Sequence, residues 1–539
     1  MLWSAAAHCR FASRELARGL FNRPHEFQPA GWLKRELRTR RHAGGRIGIF
    51  QTSQQAGWSE SGSKLPHSKA SQVTSCKGVF LDNSQGNRSA NAAAPVPHLR
   101  RVLSLTDLIL YGIVAVTPSA PVTVFGLSSV QSRGHALDTI LFAMVAMVLT
   151  AVSYGRMAAL YPSAGSAYTY VGRALNPHLG FMAGWAMLLD YLIIPLFCVV
   201  YGSLIVQRMI PQVPYVVITA CFAGGMTYLN VRGIRATARA NQVLMTLMGA
   251  VLVGFIGLAV RYLVFHQGWG SLFSAMPFYN PREFDMREVL HATSFAALTY
   301  IGFDSITTLA EDAHNPKRNI LLATVLVCLF TGIFGGLLIY LAQLAWPDFR
   351  TFPDVATAFM DVTRRVGGTW LFEATVLLLT IANIGAGLTG QVGAARLLFG
   401  MGRDNVLPKR FFAYLDPKRN TPTFNLLLIG ILTFAGSLGK RYDLIGELLN
   451  FGAFLGFMGV NAATIRQFYF RPQVGRQKSF WKDFLVPGLG FAICLIIWLG
   501  LGRLAKIVGC IWFAVGLTYS AIRTRGFRLE PVMIDLSET

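Results

Sequence analysis

The chain has 539 residues, 53% of them apolar and 14% charged, and its mean hydropathy is +0.45. That balance excludes a string of soluble domains and leaves a polytopic membrane protein. A formal charge of +23 would suggest nucleic acid in a soluble protein. Here Lys and Arg cluster in short loops and near the N-terminus, so the charge reports topology and no nucleic-acid partner is expected.

Residues 1–100 are rich in Arg, Ser, Gln, Gly and His and poor in acids, with WLKRELRTRRHAGGR as their most basic part. No apolar run there is long enough for a secretory segment, so a disordered, cytosolic extension is expected. The opening MLWSAAAHCRFASRELARGLFNR also has the composition of an organellar transit peptide. An extension without a fold, from a start codon placed too far upstream, is the preferred reading. Cys9, Cys76, Cys198, Cys221, Cys328, Cys494 and Cys510 form no CxxC pair and lie mostly in apolar runs. Neither a disulfide framework nor a metal site is expected, and no cofactor.

The first apolar run, LILYGIVAVTPSAPVTVFG, carries Pro118 and Pro121 at its centre with Thr117 and Ser119 around them. A proline removes a backbone donor and clashes with the carbonyl one turn back, so the helix should break here. In hydrocarbon an unpaired backbone group costs several kcal/mol, so a break persists only where protein or a polar cavity surrounds it. A midplane cavity of this kind is a substrate site. A proline kink packed between helices is the alternative.

Counted against the roughly 20 residues a span requires, the runs give about twelve spans: 104–131, 138–160, 177–207, 212–230, 240–265, 288–311, 319–345, 370–400, 422–438, 444–467, 484–502 and 504–522. With Arg100 and Arg101 inside, the loops holding Arg232, Arg235 and Arg239, then Lys317 and Arg318, then Arg403, Lys409, Arg410, Lys418 and Arg419, then Arg466 to Lys482 all fall inside as well. Both termini are thus expected in the cytosol, with Arg364 and Arg365 as local exceptions to the bias.

The sixth span, HATSFAALTYIGFDSITTLAEDAHNPKRN, repeats the pattern of the first, with Gly302 among small and hydroxyl residues and Asp304 at a depth where an acid is expensive. Five spans followed by five more, each set opening on a discontinuous helix, is the arrangement of inverted repeats around a midplane site. Close helix packing is the alternative role for Gly302. Asp190, in GWAMLLDYLIIP, lies near the membrane centre with no basic residue one turn to either side. It must face a cavity, find a distant partner or stay protonated, and in a cavity it would attract a second ammonium. A hydrogen-bonded acid holding helices together is the structural alternative.

Three stretches resemble the amino acid, polyamine and organocation (APC) family of permeases: YGRMAALYPSAGSAYTYVGRALNPHLGFMAGWAMLLDY, YIGFDSITTLAEDAHNPKRNI and AARLLFGMGRDNVLPKRFFAYLDPKRNTP. They come in the family's order and span about residues 103–470. The resemblance implies an all-α membrane protein of the LeuT-type 5+5 inverted-repeat fold, with repeats at about 104–265 and 288–467, two extra helices at about 484–522 and a cytosolic tail at 526–539. It further implies a secondary transporter that imports an amino acid or related amine by alternating access. The Asp190 and Pro118 pattern is similar to that of putrescine importers within the family. A putrescine-selective permease or antiporter, and a sensor that has lost transport, stand as alternatives.

A broken helix offers free N–H groups and a positive half-helix end to a carboxylate, and free carbonyls to an ammonium. Carboxylate contacts are expected at Thr117, Ser119 and Ala120, beside Pro118. The family places ammonium contacts on the carbonyls of both breaks, here near Ala115, Val116, Ala297 and Leu298. Leu298 also falls where several members carry a gating aromatic, with Phe295 and Tyr300 close enough to substitute. Asp304 stands where members carry a glutamate, and a buried acid there can take up a proton in the cycle. Met248 stands where several proton-coupled members have a lysine, so that device does not carry over. Thr380, Asn383 and Thr389 could supply oxygens to a sodium ion, although proton coupling through Asp304 or Asp190 is preferred. The chain has no HExxH, GxSxG or GxxxxGK[ST] motif, and GAGLTGQVG lacks a phosphate-loop lysine, so neither an enzyme nor an ATP-driven pump is expected.

Overall fold

The computed structural model describes residues 103–162, 166–233, 238–403, 407–417, 419, 421–471 and 477–529, all within one compact unit. The basic extension expected over 1–100, and the tail from 530 onward, lie outside the described residues. Every regular element described is helical. The first is α1 (Leu105–Val116), which starts on a reciprocal cap: the Ser104 Oγ accepts from Asp107 N–H at 3.3 Å, and the Asp107 carboxylate accepts from Ser104 N–H at 2.9 Å. After α2 (Ala120–Gln131) and α3 (Ala136–Leu160) come the short α4 (Ser166–Ala174) and the long α5 (Pro177–Met209). Then follow α6 (Tyr215–Arg232), α7 (Ala238–Gln267) and α8 (Met286–Ala296). The second half holds α9 (Pro316–Ala345), α10 (Ala358–Arg403), the single turn α11 (Lys409–Phe412), α12 (Thr423–Ser437), α13 (Tyr442–Ile465), α14 (Val486–Gly500) and α15 (Arg503–Arg523).

Of the three Asn-Pro pairs in the sequence, two start helices and Asn280-Pro281 lies in a turn. Asn176 caps α5 by accepting from His178 N–H at 2.8 Å, and Pro177 fills the first helical position, where its missing donor costs nothing. Pro316 likewise fills the first turn of α9, but Asn315 before it, at φ 47° in the left-handed region, makes no side-chain cap.

Eight described helices are long and apolar enough to cross a bilayer, and nine if the pair α1 and α2, bent by 46° at their break, is one span. The difference from twelve is local. The fourth and ninth expected spans are present as α6 and the 15-residue α12, too polar or too short to qualify alone. The sixth is divided: α8 passes into a 3-10 turn at Ala297–Tyr300, a break at Ile301 and Gly302, and a second 3-10 segment at Phe303–Leu309. The eighth expected span, 370–400, is the second part of α10, which begins earlier and is interrupted at Gly368 (φ 71°).

The core lies where α3 packs on α9, and where α5 packs between α10 and α13. Polar ties join these elements. Asn230 donates to Gln391 Oε1 (2.8 Å), and Asn461 donates to Thr150 Oγ1 (3.1 Å). Arg156, at the end of α3, pairs with the buried Asp483 ahead of α14, and its guanidinium lies 4.3 Å from the Phe468 ring. The exceptions to the charge bias are held by aromatic rings: Arg364 sits 4.0 Å from the Phe372 ring, and Arg365 donates to the Tyr262 hydroxyl at 3.0 Å. Cys198, Cys221, Cys328, Cys494 and Cys510 are free thiols.

Candidate functional site

At the first break, α1 ends when Thr117 N–H donates to Ile113 O (3.0 Å), and Thr117 adopts φ 62°, ψ 120°. That backbone is an outlier for a β-branched residue, so strain is stored at the break. The chain turns through Pro118 and Ser119, and Ala120 N–H donates back to Thr117 O at 3.1 Å. Pro121 then occupies the first turn of α2, where proline is tolerated. Its ring lies on α9 at Gly335, where an added Cβ would come within 2.5 Å of Pro121 Cγ. Ser119 and Val116 are buried, whereas Ala115, Thr117, Pro118 and Ala120 keep partial access.

The second break turns on Gly302, at φ 112°, where an L side chain is strained. The carbonyls freed at the end of α8 are met by Asn450 of α13, whose amide donates to Ser294 O at 2.6 Å and to Phe295 O at 3.4 Å. Gly302→Ala should cost about 1–2 kcal/mol, read as a lower thermal midpoint in detergent, together with reduced uptake. Gly385→Ala is the control: its added Cβ meets nothing within 4 Å inside α10, so uptake should stay unchanged and the thermal midpoint should hold or rise slightly.

The fold brings the two breaks together. Leu103 bridges Ala313, with Leu103 N–H donating to Asp312 O at 3.0 Å and His314 N–H to Leu103 O at 2.9 Å. Tyr111 hydrogen-bonds Ser305 through their side chains, and α2 packs on α8 and on the 297–300 turn. Asp304 is partly accessible, and backbone groups of Gly302, Asp304 and Ser305 hydrogen-bond its carboxylate. Asp190, on α5, is 7% exposed, and its Oδ1 has no hydrogen-bond partner among the described residues. It lies within electrostatic reach of Asp304, and Tyr191 feels both acids and Tyr111. Pro195 sits inside α5, so the Tyr191 carbonyl one turn back loses its helical donor next to Asp190.

Other expected residues have settled partners. Phe295 is fully buried, edge-on to Tyr442 at 5.6 Å. Tyr300 is fully buried and its hydroxyl donates to Ile140 O of α3 at 2.9 Å, so closing over a substrate would require breaking that bond. Ala297 is buried, and Leu298 alone of this group keeps partial access. Asn383 donates to Leu379 O (2.8 Å) and Thr389 to Gly385 O (2.9 Å), both on their own helix, while the buried Thr380 Oγ1 has no partner among the described residues. Met248 is buried. Sequence reasoning missed Asn450 and Tyr111. An Asn inside the apolar run YDLIGELLNFGAF was the available signal for the first.

The family described as amino acid permease matches residues 102–524. The chain belongs to that family, within the APC superfamily. Among relatives, the permease is 32% identical over 433 residues to the low-affinity putrescine importer PlaP of Escherichia coli (strain K12), covering 80% of this chain and 95% of the relative. It is 24% identical over 463 residues to the branched-chain amino acid permease BcaP of Bacillus subtilis (strain 168), covering 79% and 94%. It is 28% identical over 444 residues to the methylthioribose transporter of the same organism, covering 78% and 92%. The permease is therefore a multi-pass integral membrane transporter of small molecules and not an enzyme.

Proposed function

We propose that the permease imports a cationic amine of the putrescine class by alternating access around the two breaks, driven by a proton gradient. The observation that carries this reading is Asp190, a buried carboxylate with an unpartnered oxygen, within reach of a second acid at the sixth-span break. Two carboxylates facing one region cost several kcal/mol unless cations or protons offset them. A diamine supplies one ammonium for Asp190 and the freed Tyr191 carbonyl, and another for the carbonyls near Ala115, Val116, Ala297 and Leu298. The N–H groups and hydroxyls at Thr117, Ser119 and Ala120 would receive the carboxylate of an amino acid substrate. The likeness to PlaP supports the amine reading over a neutral amino acid.

Asp304 carries the coupling proton in this scheme, because partial access lets it exchange protons while backbone donors steady its charged form. Sodium is the second reading: Asn383 and Thr389 act only as donors within α10, and their oxygens stay available beside Thr380. The charge bias of the loops supports both termini on the cytosolic side of the plasma membrane, with residues 1–100 an extension separate from the transporter domain at 101–525. Proteoliposomes given labelled putrescine and an amino acid panel, under imposed proton or sodium gradients, test the reading. Saturable putrescine accumulation driven by a proton gradient is expected. Conductance without saturation would sink the carrier reading, and binding without flux would mark a sensor.

A further inference from the structure

A groove of about 660 Å³ opens where α8 begins and α14 turns into α15, within the roughly 300–1,000 Å³ range of small-ligand sites. Its α8 residues, Met286 to His291, lie at the start of the helix whose far end opens into the second break. Four basic side chains line it, Arg287, His291, Arg503 and Lys506, and no acid does. Among the described residues neither Arg287 nor Arg503 has an ion-pair partner, and Lys506 Nζ donates only to Leu499 O at 3.0 Å. Of the nearby acids, Glu288 pairs with Arg133 at 3.2 Å, and the buried Glu447 accepts from Gly502 N–H at 3.1 Å and offsets Lys506, which leaves Arg287 and Arg503 without a counter-charge. The uncompensated Arg287 and Arg503 share one groove and repel each other, and Arg503 in the first turn of α15 also opposes its helix dipole. An anion relieves both costs.

The walls identify what kind of anion. Leu499, Leu504 and Ile507 are exposed beside the basic groups, on helix surface that faces hydrocarbon in a membrane. The segment leading to α8 exposes Trp269 and Tyr279, the residue types that sit at headgroup level. A free ion gains nothing from an apolar wall, whereas a lipid uses both surfaces. We propose that this groove binds an anionic phospholipid, its phosphate held by Arg287 and Arg503 with His291 and Lys506 behind, and its acyl chains along Leu499, Leu504 and Ile507.

The test uses the full chain, purified in a neutral detergent and titrated with phosphatidylglycerol or phosphatidylcholine, with retained lipid counted by native mass spectrometry. Phosphatidylglycerol should be retained in preference to phosphatidylcholine. The double variant Arg287→Gln/Arg503→Gln should weaken its apparent affinity by about 30-fold, from the loss of two basic residues at a membrane surface. Should that variant fold poorly, Arg503→Gln alone should lose about fivefold, and Arg287→Lys/Arg503→Lys should keep most of the affinity. Equal retention of the two lipids, no loss in the Gln variants, or full competition by inorganic phosphate at millimolar concentration would each overturn the proposal, the last by marking a free-anion site.

Discussion

Replacing Asp190 with Asn should lower kcat/KM for putrescine uptake by roughly 30- to 1,000-fold, the 2–4 kcal/mol lost when a buried ammonium keeps its hydrogen bonds but not its counter-charge. Neutral amino acids, if they are carried at all, should change by less than about threefold, because their ammonium is held by carbonyls at the breaks and not by Asp190. Asn is nearly isosteric with Asp, so packing against α10 and α13 is preserved and the protein should reach the membrane in normal amount. Folding itself should gain slightly, since an unpartnered buried carboxylate is replaced by a neutral amide. A higher thermal midpoint with lower putrescine uptake is therefore the combined signature. Uptake assays on proteoliposomes, with thermal unfolding of the same preparation, measure both. Equal losses for cationic and neutral substrates would place Asp190 in coupling or in the scaffold.

The breaks were legible in the sequence because their causes are local. Pro118 and Pro121 lack donors wherever the chain goes, and Gly302 is the residue type that accepts φ 112°. The isolation of Asp190 was legible for the same reason, since no cation stands one helical turn away. What surrounds these residues depends on distant chain segments and was not. Nothing local says that Asn450 meets the carbonyls of Ser294 and Phe295, that Tyr300 is tied to α3, or that Asp190 shares its field with Asp304. The 3-10 winding of Phe303–Leu309 was hidden as well. Its run of Ser and Thr is compatible with an α-helix, and the tighter winding goes with hydroxyls bonding three residues back, Ser305 to Gly302, Thr307 to Asp304 and Thr308 to Ser305. The start of α10 was placed late because DVTRRVGGT is too polar to read as a span, although α10 begins at Ala358 and bends at Gly368.

The double variant Pro118→Ala/Pro121→Ala should abolish transport, by more than about 100-fold, while leaving membrane insertion intact. With donors restored at both positions, N–H groups can reach the carbonyls of Val114 and Thr117, and α1 can run into α2 without the 46° bend. The strain now held at Thr117 (φ 62°), of order 1–3 kcal/mol, favours that change once the prolines no longer forbid it. The straightened helix would withdraw the N–H groups and carbonyls that the break exposes, so substrate binding and flux should fail together. The two prolines are not equivalent. Pro121 lies in the first turn of α2 and against Gly335, so Pro121→Ala alone leaves the break and opens a small gap, with a modest loss of stability. Pro118 lies between the half-helices, so Pro118→Ala alone should account for most of the lost transport. If uptake survives in the double variant, the prolines are only kinks, and the substrate site must be sought around Asp190 without the help of the first break.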